Sequence, residues 1–212
     1  MNDRGRDISN EWTLLVPLPA LKSFSYQGFM PSIYLRRVIM EINAQIAHLS
    51  IYTQDYQWPF HSSEVFSSDF FDSLLDLQTF DFYFRLITSE NFHSSFSRLN
   101  HLINKHLCKN IAWIVSKDIT QIFSLPYAFD HLEIFEKNFF HRMSSFKLEQ
   151  DNDWNQIEHL IFHVNIYDSL LLQSIEKKLT KLHSIDYQVP HFSLIPQENE
   201  LHQYNLVLSK LL

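Results

Sequence analysis

Glycine is nearly missing: the 212 residues hold only 2, Gly5 and Gly28, where average usage would give roughly fifteen. That scarcity excludes sites that cradle phosphate in backbone amides, for there is no G-x-G-x-x-G, no Walker A loop and no glycine-lined nucleophile elbow. Any chemistry is left to side chains. Cysteine is reduced to one, Cys108, so no internal disulfide can form and the reducing interior of a cell is the expected compartment. Long apolar runs are also lacking. None approaches the roughly 20 residues of a membrane span, and the opening MNDRGRDISNEW has no apolar stretch of the secretory kind, so no membrane partner is expected. Nor is there an excess of positive charge: 17 basic against 24 acidic residues leave −7, which argues against a broad basic face while allowing a small, local nucleic-acid contact.

What is present is apolar bulk and histidine. Hydrophobic residues make up 45% and aromatics 15%, with 19 Phe and 12 His, a globular composition suited to a single domain over 1–212. Thr13 to Val16 reads as a strand closed by Pro17. Leu35, Val38, Ile39, Ile42 and Ile46 recur at helical spacing after Ser32, a good amino-terminal cap. AHLSIY at 47–52 reads as a strand, 69–77 as a helix, and FDFYFRLI at 80–87 as a half-buried strand with Phe80, Phe82, Phe84 and Leu86 on one face. A helix from Ser89 and a strand at 111–115 follow. Asp118 with Gln121, and Asp130 with Glu133, have capping-box spacing and predict a turn of helix and then a longer helix to about Ser145. A strand at 159–167, a helix at 168–182, a strand at 189–195 and a terminal helix complete an α+β pattern.

Two strand-like segments share a local form, His48-Leu49-Ser50 and His191-Phe192-Ser193. In a strand, residues two apart face the same way, so each triplet sets an imidazole beside a hydroxyl, with the middle residue anchored in the core. Two such strands side by side would offer two imidazoles to one phosphodiester. One would take the proton of a ribose 2′-hydroxyl and the other would protonate the departing 5′-oxygen, while the serines hydrogen-bond the phosphate oxygens. Four H-x-[ST] triplets occur, and composition alone accounts for one or two. His61-Ser62-Ser63 and His93-Ser94-Ser95 lack the strand setting. His159 and His163, four apart, would suit a metal only with a third ligand at a fitting spacing, and none is evident.

The order of these segments is similar to that of the U6 small nuclear RNA phosphodiesterases, a branch of the two-histidine (2H) phosphoesterases. Asn10-Glu11-Trp12-Thr13-Leu14-Leu15-Val16-Pro17 resembles the family's Trp, strand and Pro opening; a helix and His48-Leu49-Ser50 follow. Tyr187-Gln188-Val189-Pro190-His191-Phe192-Ser193 resembles the run into its second H-x-S. The resemblance covers 1–87 and 146–196 and leaves 88–145 as an insertion. It implies a bilobal 2H fold, two small antiparallel sheets flanked by helices around a central groove. The implied activity is metal-independent 3′–5′ trimming of the oligouridine end of U6 RNA in the nucleus, leaving a 2′,3′-cyclic phosphate and using no cofactor. Carried onto this chain, His48 and His191 are the acid/base pair, with His191 taken as the base. Ser50 and Ser193 hold the phosphate, and Tyr187 stacks on a terminal base. Two other readings stand beside it: a 2H enzyme acting on another RNA, and a non-catalytic interaction subunit of a larger assembly, which the Phe content and long apolar stripes suit.

Overall fold

The computed structural model describes residues 18, 20–28, 32–42, 45–55, 68–87, 102–116, 119–145, 151–164 and 169–188. In chain order they form β1 (Ser23–Gly28), α1 (Ser32–Ile42), β2 (His48–Asp55), α2 (Ser68–Ser73), β3 (Thr79–Ile87), β4 (Asn110–Val115), β5 (Ile119–Leu125) and β6 (His131–Ile134). Then come α3 (Phe139–Arg142), β7 (Ser144–Ser145), a 3-10 turn (Asp151–Trp154), β8 (His159–Phe162), α4 (Ser169–Lys178) and β9 (Ser184–Tyr187). The fold is mixed α+β with two small sheets, one ordered β1-β2-β3-β5-β4-β7 and the other β6-β8-β9.

The pairing differs from the antiparallel sheets expected. β1, β2 and β3 run parallel, as do β6, β8 and β9, and only β3-β5, β4-β5 and β4-β7 are antiparallel. The reason lies in the connections. A parallel neighbour needs a crossover of a dozen or more residues, and α1, α2 and α4 lie between the strands they serve, whereas the short link from Val115 to Ile119 permits a hairpin.

Alternation on β3 sends Phe80, Phe82, Phe84 and Leu86 to one face, where Leu49 and Ile51 of β2 join them. The helical spacing read in α1 is realised against this face: Leu35, Ile39 and Ile42 are buried while Tyr34, Arg37 and Met40 stay exposed. Phe70 and Phe71 of α2 and Leu102, Ile103 and Leu107 complete the layer. Burial of each such Phe contributes about 1.5–3 kcal/mol. The opposite face supplies Tyr52, Tyr83, Ala112, Ile114, Phe123 and Leu125 to a second core. There they meet Tyr127, Leu132, Ile134, Phe139, Trp154, Leu160 and Phe162, together with Leu171 and Ile175 of α4.

Two helices expected from capping spacing are strands. Ile119–Leu125 (ITQIFSL) is rich in branched and aromatic residues and is paired on both sides, so sheet pairing outweighs the Asp118/Gln121 cue. His131–Ile134 pairs with β8, and the helix expected to run from Asp130 to about Ser145 shrinks to the four residues of α3. β1 and β9 were not foreseen. Residues 88–145, expected as an insertion, supply β4, β5, β6, α3 and β7, and with them Ile111 and Ile122 of one core and Phe123 and Ile134 of the other. The segments 13–16 and 189–195, read as strands, lie outside the described residues.

Candidate functional site

The parallel strands begin in the same way each time. The amides of Ala47 and His48 both donate to the Lys22 carbonyl, and those of Gln78 and Thr79 both donate to the Ala47 carbonyl. In the second sheet Glu158 and His159 donate to Asp130, and His183 and Ser184 donate to Glu158. These shared carbonyls put the first residues of adjacent strands level: Ser23, His48 and Thr79 in one sheet, and His131, His159 and Ser184 in the other. The sequence carries the same signature. Three strands open His-Leu: His48-Leu49, His131-Leu132 and His159-Leu160, with each Leu buried.

His48 and His159 share more than position. His48 Nδ1 lies 2.8 Å from Thr79 Oγ1, and His159 Nδ1 lies 2.6 Å from Ser184 Oγ, so each imidazole is tied to the hydroxyl that opens the next strand. His131 Nδ1 lies 2.8 Å from Asp130 Oδ1, and this hydrogen bond holds the Asp130 carboxyl below its usual range. Ser50, two residues beyond His48, shares its face and stands in register with Ser25 on one side and Asp81 on the other. Half burial pushes the Asp81 carboxyl above its usual range, with the charge of His48 pulling the other way.

Tyr187 ends β9, 38% exposed, and its ring stacks on Phe162 at 5.4 Å between centroids and 21° between planes. Tyr187 and His48 are on different sheets. His191 and Ser193 lie outside the described residues. His159 and His163 do not form a pair: the first holds Ser184, and the second lies 3.0 Å from Glu133 Oε2 and stacks on Phe135 at 4.0 Å. Among the described residues no group of three or more His, Cys, Asp or Glu could hold a metal ion. Among them, too, no helix is long and apolar enough to cross a membrane.

The most heavily bonded polar cluster centres on Glu133, a residue that sequence reasoning assigned to a helix cap. Tyr52 Oη donates to its Oε1 at 2.7 Å, and Arg85 Nη1 donates to its Oε2 at 2.6 Å beside His163. Gln121 Nε2 donates both to Tyr83 Oη, at 2.7 Å, and to the Glu133 carbonyl, at 2.8 Å. Tyr52 stacks on Tyr83 with centroids 4.4 Å apart, and Arg85 lies over Phe135. Burial pushes the Glu133 carboxyl up, but the hydrogen bonds from His163 and Tyr52 and the charge of Arg85 outweigh it and hold the group below its usual range. Burial drives the Tyr52, Tyr83 and Tyr127 hydroxyls well above theirs, so the phenols stay neutral donors. The cluster fastens β6 to β2, β3 and β5. Asp81, Tyr83 and Arg85 could have been found from the sequence, since they alternate with Phe80, Phe82 and Phe84.

Compared with known proteins, the chain matches no family model, no curated protein and no solved structure.

Proposed function

We propose that this chain is a non-catalytic interaction module, a subunit that presents stacked parallel strands to partners in a larger assembly. The observation that carries the reading is the equivalence of His48 with His159. Both open a parallel strand, both precede a buried Leu, and both are tied through Nδ1 to the hydroxyl of the next strand. A role that recurs in both sheets is a building role. Electrostatics points the same way. Asp81 stands beside Ser50 in the strand register, and a carboxylate next to the hydroxyl meant to hold a phosphodiester repels that anion. The test is the native size of the assembly. The chain, tagged at its own locus, should migrate on size exclusion well above its 25.4 kDa mass, with stoichiometric partners identified by mass spectrometry. Migration as a lone chain contradicts the reading.

A second reading is favoured by one observation, that the His48 imidazole is exposed with Ser50 on the same face. On it the chain is a 2H phosphodiesterase that trims the oligouridine end of U6 RNA, or of another RNA, in the nucleus. His48 and His191 would be acid and base, Ser50 and Ser193 phosphate ligands, and Tyr187 a base-stacking platform. Shortening of a 3′-oligouridine RNA in EDTA, lost on substituting either histidine, would establish it.

A further inference from the structure

The face of the first sheet that carries Glu133's partners also carries a second carboxylate, and the two are treated differently. Glu133 is met by Arg85, Tyr52 and His163. Asp81, on β3 four residues before Arg85, is half-buried, and among the described residues no Lys or Arg is paired with it. Around it the face is polar and open. Ser25, Ser50 and Asp81 form one cross-strand row, and Ser23, His48 and Thr79 form the next. Ser23, Ser25 and His48 are exposed, and Ser50, Thr79 and Asp81 are partly so. Among the described residues the following row is partly covered: Tyr52 lies against Phe129 and His131, and Gln27 Nε2 is 3.4 Å from His131 Nε2.

The charge of His48 offsets part of the burial but leaves the Asp81 carboxyl above its usual range, and a guanidinium or ammonium brought from outside would remove the remaining cost. Serine and threonine hydroxyls accept hydrogen bonds from the same cation or from a peptide backbone. Anionic ligands fit poorly here, because the carboxylate stands in the middle of the patch and the chain as a whole carries −7.

We propose that this polar patch is a docking surface for a basic peptide segment of a partner protein, with an arginine or lysine of the partner paired to Asp81 between the Ser25 and Ser50 hydroxyls. The inference rests on the interaction-module reading and supplies the partner's chemistry. The full chain, labelled with 15N, is titrated with an acetylated, amidated Ser-Arg octapeptide, with its Ser-Glu and Ser-citrulline counterparts, and with inorganic phosphate. Shifts centred on Ser25, Ser50 and Asp81 with the Ser-Arg peptide alone, weakened about tenfold or more in Asp81→Asn, are expected. Ser50→Arg, which supplies the cation from within, should also block binding and covers the case in which Asp81→Asn fails to fold. Equal binding by the citrulline peptide, by phosphate or by the Asp81→Asn chain overturns the proposal, as does no binding at all. The native assembly separates the two claims. An assembly that persists with Asp81→Asn overturns the docking surface and leaves the module standing, whereas a chain that migrates alone removes the module itself.

Discussion

On the helix-covered face of the first sheet, Phe80, Phe82 and Phe84 stack in a row with centroids 5.0 and 5.2 Å apart, and apolar contact holds the layer together. On the opposite face of the same strand, Thr79, Asp81, Tyr83 and Arg85 grade from an open polar patch to a buried clamp on Glu133. One strand thus carries a non-directional, pH-indifferent surface and a directional, titratable one. The contrast teaches where specificity resides. The Phe row would accept any well-shaped apolar cover, whereas the clamp accepts only an edge strand that brings a carboxylate to Tyr52 and Arg85.

The largest effect that can be asked of this comparison comes from the apolar side. Phe82→Ala leaves a cavity in a fully buried layer and should cost about 3–5 kcal/mol in urea unfolding, with the same loss at every pH at which the chain is folded. Glu133→Gln should come next, at about 2–4 kcal/mol near neutral pH, since it leaves Arg85 facing a neutral amide in a site where the Glu133 side chain is 8% exposed. Its signature is the pH dependence. The folded carboxyl titrates below its ordinary value of 4.5, so its contribution is present above that value and is lost as the pH falls through the lower, folded pKa. Wild type and variant should therefore converge in acid, and parallel curves would mean the clamp is a packing contact only.

A smaller effect compares the two sheets. His48→Ala and His159→Ala should each cost about 1 kcal/mol, and cycles with Thr79→Val and Ser184→Ala should return similar coupling energies, because each removes one imidazole-to-hydroxyl bond at a strand start. A loss at His159 with none at His48 would mean that the equivalence is one of position alone. Least of all, Arg37→Ala on α1 should move stability by less than about 0.5 kcal/mol, since its pair with Glu41 is one helical turn along and largely exposed.

Much of the apolar face was legible in the chain itself. The period of Leu35, Ile39 and Ile42 marked α1, and the alternation of Phe80 to Leu86 marked β3 and its buried side, because burial writes itself into spacing. The pairing direction was not legible, since the same alternating residues serve a parallel or an antiparallel neighbour. Glu133 was misjudged because Asp-x-x-Glu is a local cue for a helix start, while its actual partners, Tyr52, Arg85 and His163, come from three distant parts of the chain. His48 was read through Ser50, two residues on. Leu49 is a further neighbour, for His-Leu also opens the strands at 131 and 159, although the same pair stands at 101 and 106 too and so does not mark a strand start by itself. The pairing of His48 with Thr79 was out of reach, as it depends on the shared carbonyl of Ala47 setting the register.

On the proposed reading His48 opens a strand of an interaction module and takes no part in RNA cleavage. The most direct measurement is incubation of the purified full chain, its His48→Ala variant and its His191→Ala variant in EDTA with an RNA that ends in 3′-oligouridine. Full-length RNA is expected in all three. Stepwise shortening to 2′,3′-cyclic phosphate ends by the wild-type chain, abolished by either substitution, would contradict that reading.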